Sequence, residues 1–214
     1  MIKSVIFDMD GVIVDSEACH EEAFRQVLRQ AGFGSAGAWR YKDFIGRSDQ
    51  ELFVAFEREH PTGQGIPSLL AIKTRLVVEI IRRERPLFQG VTRLIGKLAG
   101  RYSLALASGS EREVVEEVLR LDGLGRFFSA VVAGSEVARG KPEPGIFLRA
   151  AEMLNVAPAD CWVVEDSKPG IAAGLAAGMR VIAIANTHRP AELAQAAYVV
   201  ESCEELEPIL LGEG

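Results

Sequence analysis

The chain has 214 residues, 48% of them hydrophobic, with 30 acidic against 24 basic residues and a net charge of −6. That content can bury the core of one domain carrying a modest insertion. No Lys/Arg run is long enough to follow a nucleic-acid backbone and no cationic membrane-binding helix is present, so neither nucleic acid nor a membrane is an expected partner.

The first element is a short apolar strand, Ser4-Val5-Ile6-Phe7, running into Asp8-Met9-Asp10-Gly11. Charges at the end of a buried strand must be paired, hydrated or bound to a metal. Asp8 and Asp10 lie two apart, so their side chains start on one face, and Gly11 permits a sharp turn straight afterwards. A surface turn would also favour Asp and Gly. From about Asp15 to Phe88 the pattern is helical, with no strand. Ser16 to Ala31 carries helical spacing through Phe24, Val27 and Leu28, and Gly32 stops it. Ser48-Asp49-Gln50-Glu51 is a capping box opening a second helix through Phe56. A third runs from Ser68 to Arg83, with Pro86 after it. A crossover needs far fewer residues. The excess, 15–88, reads as an inserted all-helical cap over the strand ends, with 1–14 and 89–214 forming the core.

Four further apolar runs predict strands at Ser103 to Ala107, Ala130 to Ala133, Cys161 to Val164 and Arg180 to Ala185. Helical patterns at Glu111 to Leu121, Ile146 to Leu154 and Ile171 to Ala177 separate them. Continuous apolar strands alternating with helices predict an α/β fold: a doubly wound, Rossmann-like parallel sheet covered on both faces. Ligands of such sheets bind beyond the carboxyl ends of the strands. Those ends carry Asp8/Asp10, Ser108/Gly109 and Glu165/Asp166.

Ser110-x-x-Glu113 has the form of a capping box, a sufficient structural reason for Ser110. Ser108 instead ends a strand beside Gly109 and a helix N-terminus, where its hydroxyl and the Gly109 amide could hold a phosphate oxygen. Lys141 sits in a loop stiffened by Pro142 and Pro144, placed to neutralise phosphate charge as a point donor. Glu165-Asp166 is a second strand end with paired carboxylates, hard oxygen ligands of the kind that suit Mg2+. Gly170 and Gly174 are expected to allow close helix packing, and Gly178 to end the helix.

Three cysteines, Cys19, Cys161 and Cys203, form no CxxC or metal-finger spacing and read as reduced thiols. Asp8 and Asp10 interrupt the apolar stretch a secretory signal would need, and no run approaches the roughly 18 apolar residues of a spanning helix. A cytoplasmic protein is expected, with a monomer as the default.

Asp-x-Asp-Gly, strand-end Ser-Gly, loop Lys-Pro and strand-end Glu-Asp, in that order, resemble the motifs of the haloacid dehalogenase-like phosphohydrolase superfamily. The likeness is to its helical-cap subgroup of sugar-phosphate phosphatases and beta-phosphoglucomutase, and extends from the first strand to about Ala185. The resemblance implies Asp8 as nucleophile, forming an aspartyl-phosphate, and Asp10 as acid/base, protonated near neutral pH while Asp8 stays ionised. It implies Mg2+ on the Asp8 side chain, the Asp10 backbone carbonyl and Asp166, with Glu165 a direct or water-mediated partner. Ser108, Gly109 and Lys141 would stabilise the transferring phosphoryl oxygens.

Specificity is expected from the cap. Arg47, before the capped helix, could hold a substrate's distal groups, and Lys73 could do the same unless it is a surface lysine. His20 stands where beta-phosphoglucomutase carries a His that aids acid/base chemistry. The expected activity is a Mg2+-dependent phosphatase of a small phosphorylated metabolite such as a sugar phosphate. The alternative is a mutase passing the phosphoryl group to a sugar hydroxyl, favoured by Val12-Ile13 and His20. Two remoter readings fit less well. A dehalogenase has no use for Asp10, and a receiver-like signalling module needs an Asp at a middle-strand end where this chain has none.

Overall fold

The computed structural model describes residues 2–34, 39, 41–44 and 48–212. The chain divides into two compact units, Met1–Asp15 with Pro86–Gly214, and Ser16–Arg85.

In the first unit the elements are β1 (Ser4–Phe7), α4 (Val91–Leu98), β2 (Ser103–Ala107), α5 (Arg112–Arg120), β3 (Ala130–Val132), α6 (Gly145–Leu154), β4 (Cys161–Glu165), α7 (Lys168–Ala176), β5 (Arg180–Ile184), β6 (Tyr198–Val200) and α8 (Cys203–Gly212). The strands form one sheet of order β3-β2-β1-β4-β5-β6, every pair parallel. Successive strands bury both faces. Ile6, Ala105, Val163 and Val181 join a cluster with Phe147 and Ala150 of α6 and Ile171 and Ala173 of α7. Their neighbours Val5, Phe7, Leu104, Leu106, Trp162 and Val164 are buried on the opposite face. The fold is the doubly wound α/β sheet that the continuous apolar runs predicted, with helices inserted after β1.

β1 pairs with β2 on one side and β4 on the other. The strand order therefore reverses at β1, and the crevice between β1 and β4 is the topological switch point where such sheets bind ligands. Both acidic strand ends flank it. Gly174 packs α7 against the sheet: an added Cβ would lie 2.7 Å from Val181 Cγ2. Gly178, at φ +75°, follows the end of α7 as expected.

The second unit holds α1 (Glu17–Gln30), α2 (Asp49–Glu59) and α3 (Ile66–Glu84), with a short 3-10 turn at Tyr41–Phe44. Phe24, Val27, Leu28, Leu52, Phe53, Phe56 and Leu69 form its core. Burying each side chain of this size contributes about 1.5–3 kcal/mol. The Ser48 capping box is formed: its hydroxyl accepts from the Glu51 amide at 3.3 Å, and the Glu51 carboxylate accepts from the Ser48 amide at 3.1 Å. The strand β6 and the helices α4 and α8 were not anticipated. β6 has three residues, too few to show a period. Among the described residues no helix is long and apolar enough to cross a membrane.

Candidate active site

β1 ends at Phe7, but the Asp8 amide still donates to the Val164 carbonyl at 2.9 Å, so Asp8 leaves the sheet beside β4. The chain then folds back sharply. The Gly11 amide donates to the Val14 carbonyl at 2.9 Å, and Gly11 has φ +80°. A side chain there is ruled out twice over. The backbone conformation is left-handed, and a Cβ would lie 2.0 Å from Asp166 Oδ2.

The two aspartates take separate partners. Asp8 accepts from Lys141 Nζ, which also donates to Glu165 Oε1 at 2.6 Å. Asp10 Oδ2 accepts the Ser110 hydroxyl at 2.7 Å and the Ser108 hydroxyl at 3.2 Å. This corrects the reading of Ser110 as a helix cap. The N-cap of α5 is Glu111, with no side-chain cap bond, and the Ser110 hydroxyl is turned onto Asp10 instead. Ser108 is fully buried, and its oxygen also accepts from the Ser110 amide at 3.0 Å. Gly109 faces open space on its Cβ side, while Gly134 packs against the Gly109 carbonyl at 2.2 Å from where a Cβ would sit. The loop is thus pinned from below and open above.

At the end of β4, Glu165 Oε2 accepts the amides of Asp166 and Ser167, each at 2.8 Å, and the Ser167 hydroxyl at 2.9 Å. With Lys141 on Oε1, both oxygens are engaged by the chain itself. Gly170 belongs to this arrangement and not to helix packing: a Cβ there would lie 1.7 Å from Glu165 Oε1.

Asp8, Glu165 and Asp166 are buried, at 5%, 1% and 6% exposure, and each offers an oxygen within 4.8 Å of the others. Burial above all pushes the Asp8 carboxyl well above its ordinary range; Lys141 opposes this, while Glu165, Asp166 and Asp10 add to it. Burial, then the Glu165 charge, raises Asp166 to about 7, against the pull of Thr187 and Lys141. Burial pulls the Lys141 ammonium down, but Asp8 and Glu165 outweigh it and hold it above its ordinary value. Three carboxylates around one ammonium leave excess negative charge in a place water solvates poorly. The oxygen donor set and the charge deficit both fit a hard divalent cation.

Two residues outside the predicted set complete the crevice. Asn186 Nδ2 donates to the Gly11 carbonyl at 2.8 Å, and the Thr187 hydroxyl donates to Asp166 Oδ2. Both follow β5 in a loop whose sequence carries no periodic signal.

The residues proposed for specificity lie in the helical unit. Lys73 is fully buried, so it is not a surface lysine. Its Nζ donates to Asp49 and lies 3.0 Å from His20 Nδ1. Leu69, Lys73 and Val77 share one buried helix face, which is why the ammonium enters the interior. Arg47 falls outside the described residues.

The family model described as haloacid dehalogenase-like hydrolase matches residues 5–184. The chain is 30% identical over 190 residues to the fructose-1-phosphate phosphatase YqaB of Escherichia coli, covering 83% of this chain and 94% of that one. It is 33% identical over 191 residues to the beta-phosphoglucomutase of Bacillus subtilis, covering 86% and 83%. The crystal structure of CbbY from Rhodobacter sphaeroides with xylulose-(1,5)bisphosphate superposes with a TM-score of 0.84 at 28% identity, covering 96% of each chain.

Proposed function

We propose that this chain, which belongs to the haloacid dehalogenase-like hydrolase family, is a Mg2+-dependent phosphatase of a small phosphorylated metabolite such as a sugar phosphate. The observation that carries the reading is the buried trio Asp8, Glu165 and Asp166 at the switch point of the sheet, with the Lys141 ammonium shared by Asp8 and Glu165. A relative named as a sugar-phosphate phosphatase supports it.

In this mechanism an Asp8 carboxylate oxygen attacks phosphorus in line. The bond to the substrate oxygen breaks, its electron pair leaves with that oxygen, and Asp10 supplies the proton. Water then attacks the aspartyl-phosphate, Asp10 takes the water's proton, and inorganic phosphate leaves with Asp8 restored. Ser110 holds Asp10 by its hydroxyl and so fixes the direction of proton transfer. Lys141 and the Gly109 amide stabilise charge on the phosphoryl oxygens, joined by the Ser108 hydroxyl once its single proton turns from Asp10 to the phosphoryl group. Asp8, Asp166 and the Asp10 backbone carbonyl would hold Mg2+, with Glu165 a direct or water-mediated partner, and a bound ion would remove repulsion between nucleophile and substrate.

The alternative acceptor is a sugar hydroxyl. The 33% identity to a beta-phosphoglucomutase favours it, as do Val12-Ile13 and the position of His20 in the chain. One assay separates the two. The protein and Mg2+ are incubated with fructose 1-phosphate, xylulose 1,5-bisphosphate, and β-glucose 1-phosphate with a trace of the 1,6-bisphosphate. Release of inorganic phosphate is expected; glucose 6-phosphate formed without phosphate release would establish the mutase instead.

A further inference from the structure

The loop after β5 contributes no charge to the proposed chemistry, yet it grips the site at two points. The Thr187 hydroxyl donates to Asp166 Oδ2, and Asn186 Nδ2 donates to the Gly11 carbonyl at 2.8 Å. The grip is tight. A Cβ on Gly11 would lie 2.0 Å from Asp166 Oδ2 and 3.0 Å from Thr187 Cγ2, so the turn, the carboxylate and the threonine are in direct contact.

The hydrogen-bond inventory sets the direction of the contact. A threonine hydroxyl has one proton. Directed to Asp166, it leaves the oxygen to accept, and His188 Nδ1 lies 2.9 Å from that oxygen. In its Nδ1–H tautomer His188 donates to Thr187, which donates to Asp166. One Asp166 oxygen is held by the protein and the carboxylate cannot rotate freely, leaving the other oxygen in a fixed direction.

We propose that Asn186 and Thr187 form a clasp in which Thr187 is the positioning residue for Asp166 as a cation ligand, while Asn186 holds the Gly11 turn against it. The proposal rests on reading Asp166 as a Mg2+ ligand. Outer partners that orient a ligating carboxylate typically change metal affinity by about 10–100-fold when removed.

The test measures Mg2+ binding to the full-length protein by calorimetry, without substrate, alongside the Mg2+-induced rise in melting temperature. Thr187→Val keeps the shape and removes the hydroxyl; it is expected to weaken Mg2+ at least about 10-fold. Thr187→Ser keeps the hydroxyl and is expected to bind within about threefold of the unsubstituted protein, which a merely structural role for the side chain would not require. Wild-type Mg2+ affinity in Thr187→Val, or equal weakening in both variants, would overturn the clasp. Asp166→Asn serves as the control. If it too keeps full Mg2+ affinity, the ligand assignment fails and the clasp with it; if it alone loses affinity, only the clasp fails.

Discussion

Each unit of this protein sets a lysine against carboxylate, Lys73 fully buried and Lys141 mostly so, and the two clusters differ in their acidic company. In the helical unit Lys73 meets the Asp49 carboxylate and a ring nitrogen of His20. At the sheet, Lys141 is shared by Asp8 and Glu165, with Asp166 close by. The first pairs one ammonium with one carboxylate. The second is short of positive charge, a costly state for a fold to maintain unless something else supplies it. A buried ion pair alone is weak grounds for function; a buried imbalance at a switch point is much stronger.

The largest expected effect is on turnover. Asp8→Asn should lower phosphate release by at least about 10^4-fold, as loss of a covalent nucleophile does, measured in the phosphosugar assay. Next comes stability. Lys141→Met leaves Asp8 and Glu165 without their ammonium and should cost about 3–5 kcal/mol in metal-free denaturant unfolding, with much of that recovered on adding Mg2+. Asp49→Ala leaves Lys73 buried without its carboxylate and should cost a similar amount, about 3 kcal/mol or more. Here Mg2+ should recover nothing. Rescue of both variants, or of neither, would erase the distinction between the clusters.

A smaller effect follows from pH. Burial and Glu165 raise Asp166 to about 7 in the folded chain, against about 4 when unfolded. The folded state therefore holds that proton more tightly. The associated stability is complete below about pH 4 and is lost as the pH rises through about 7. Metal-free melting temperature should fall over that interval, and the Mg2+-induced rise should be largest above it. A metal-free melting temperature that climbs steadily from pH 5 to 8 would contradict the assignment.

Much of the site could be read from the sequence because parallel strands here are short apolar runs that stop abruptly at acids. Ser4 to Phe7 before Asp8, and Cys161 to Val164 before Glu165-Asp166, announce both the strand and its chemistry. Other parts were hidden by degenerate signals. Ser110 and Glu113 have the spacing of a capping box, and nothing local shows that the hydroxyl prefers Asp10 to the helix end. Asn186 and Thr187 reach the site only because β4 and β5 pair in register, a long-range fact. The burial of Lys73 was readable, since it falls between Leu69 and Val77 on an apolar stripe, but a long polar side chain ordinarily snorkels out of such a stripe. The edge strand β6 and the helix α8 follow without any repeating pattern long enough to count.

The claim that Asp8 is the nucleophile of an unbalanced, cation-completed site has one direct test. The protein is mixed with Mg2+ and a turned-over phosphosugar, quenched in acid within a single turnover, and its peptides are examined by mass spectrometry, with borohydride reduction marking any acyl phosphate. One phosphoryl group on the peptide containing Asp8, absent without Mg2+ and absent in Asp8→Asn, is the expected result. Full turnover with no phosphorylated peptide, or turnover preserved in Asp8→Asn, would contradict it.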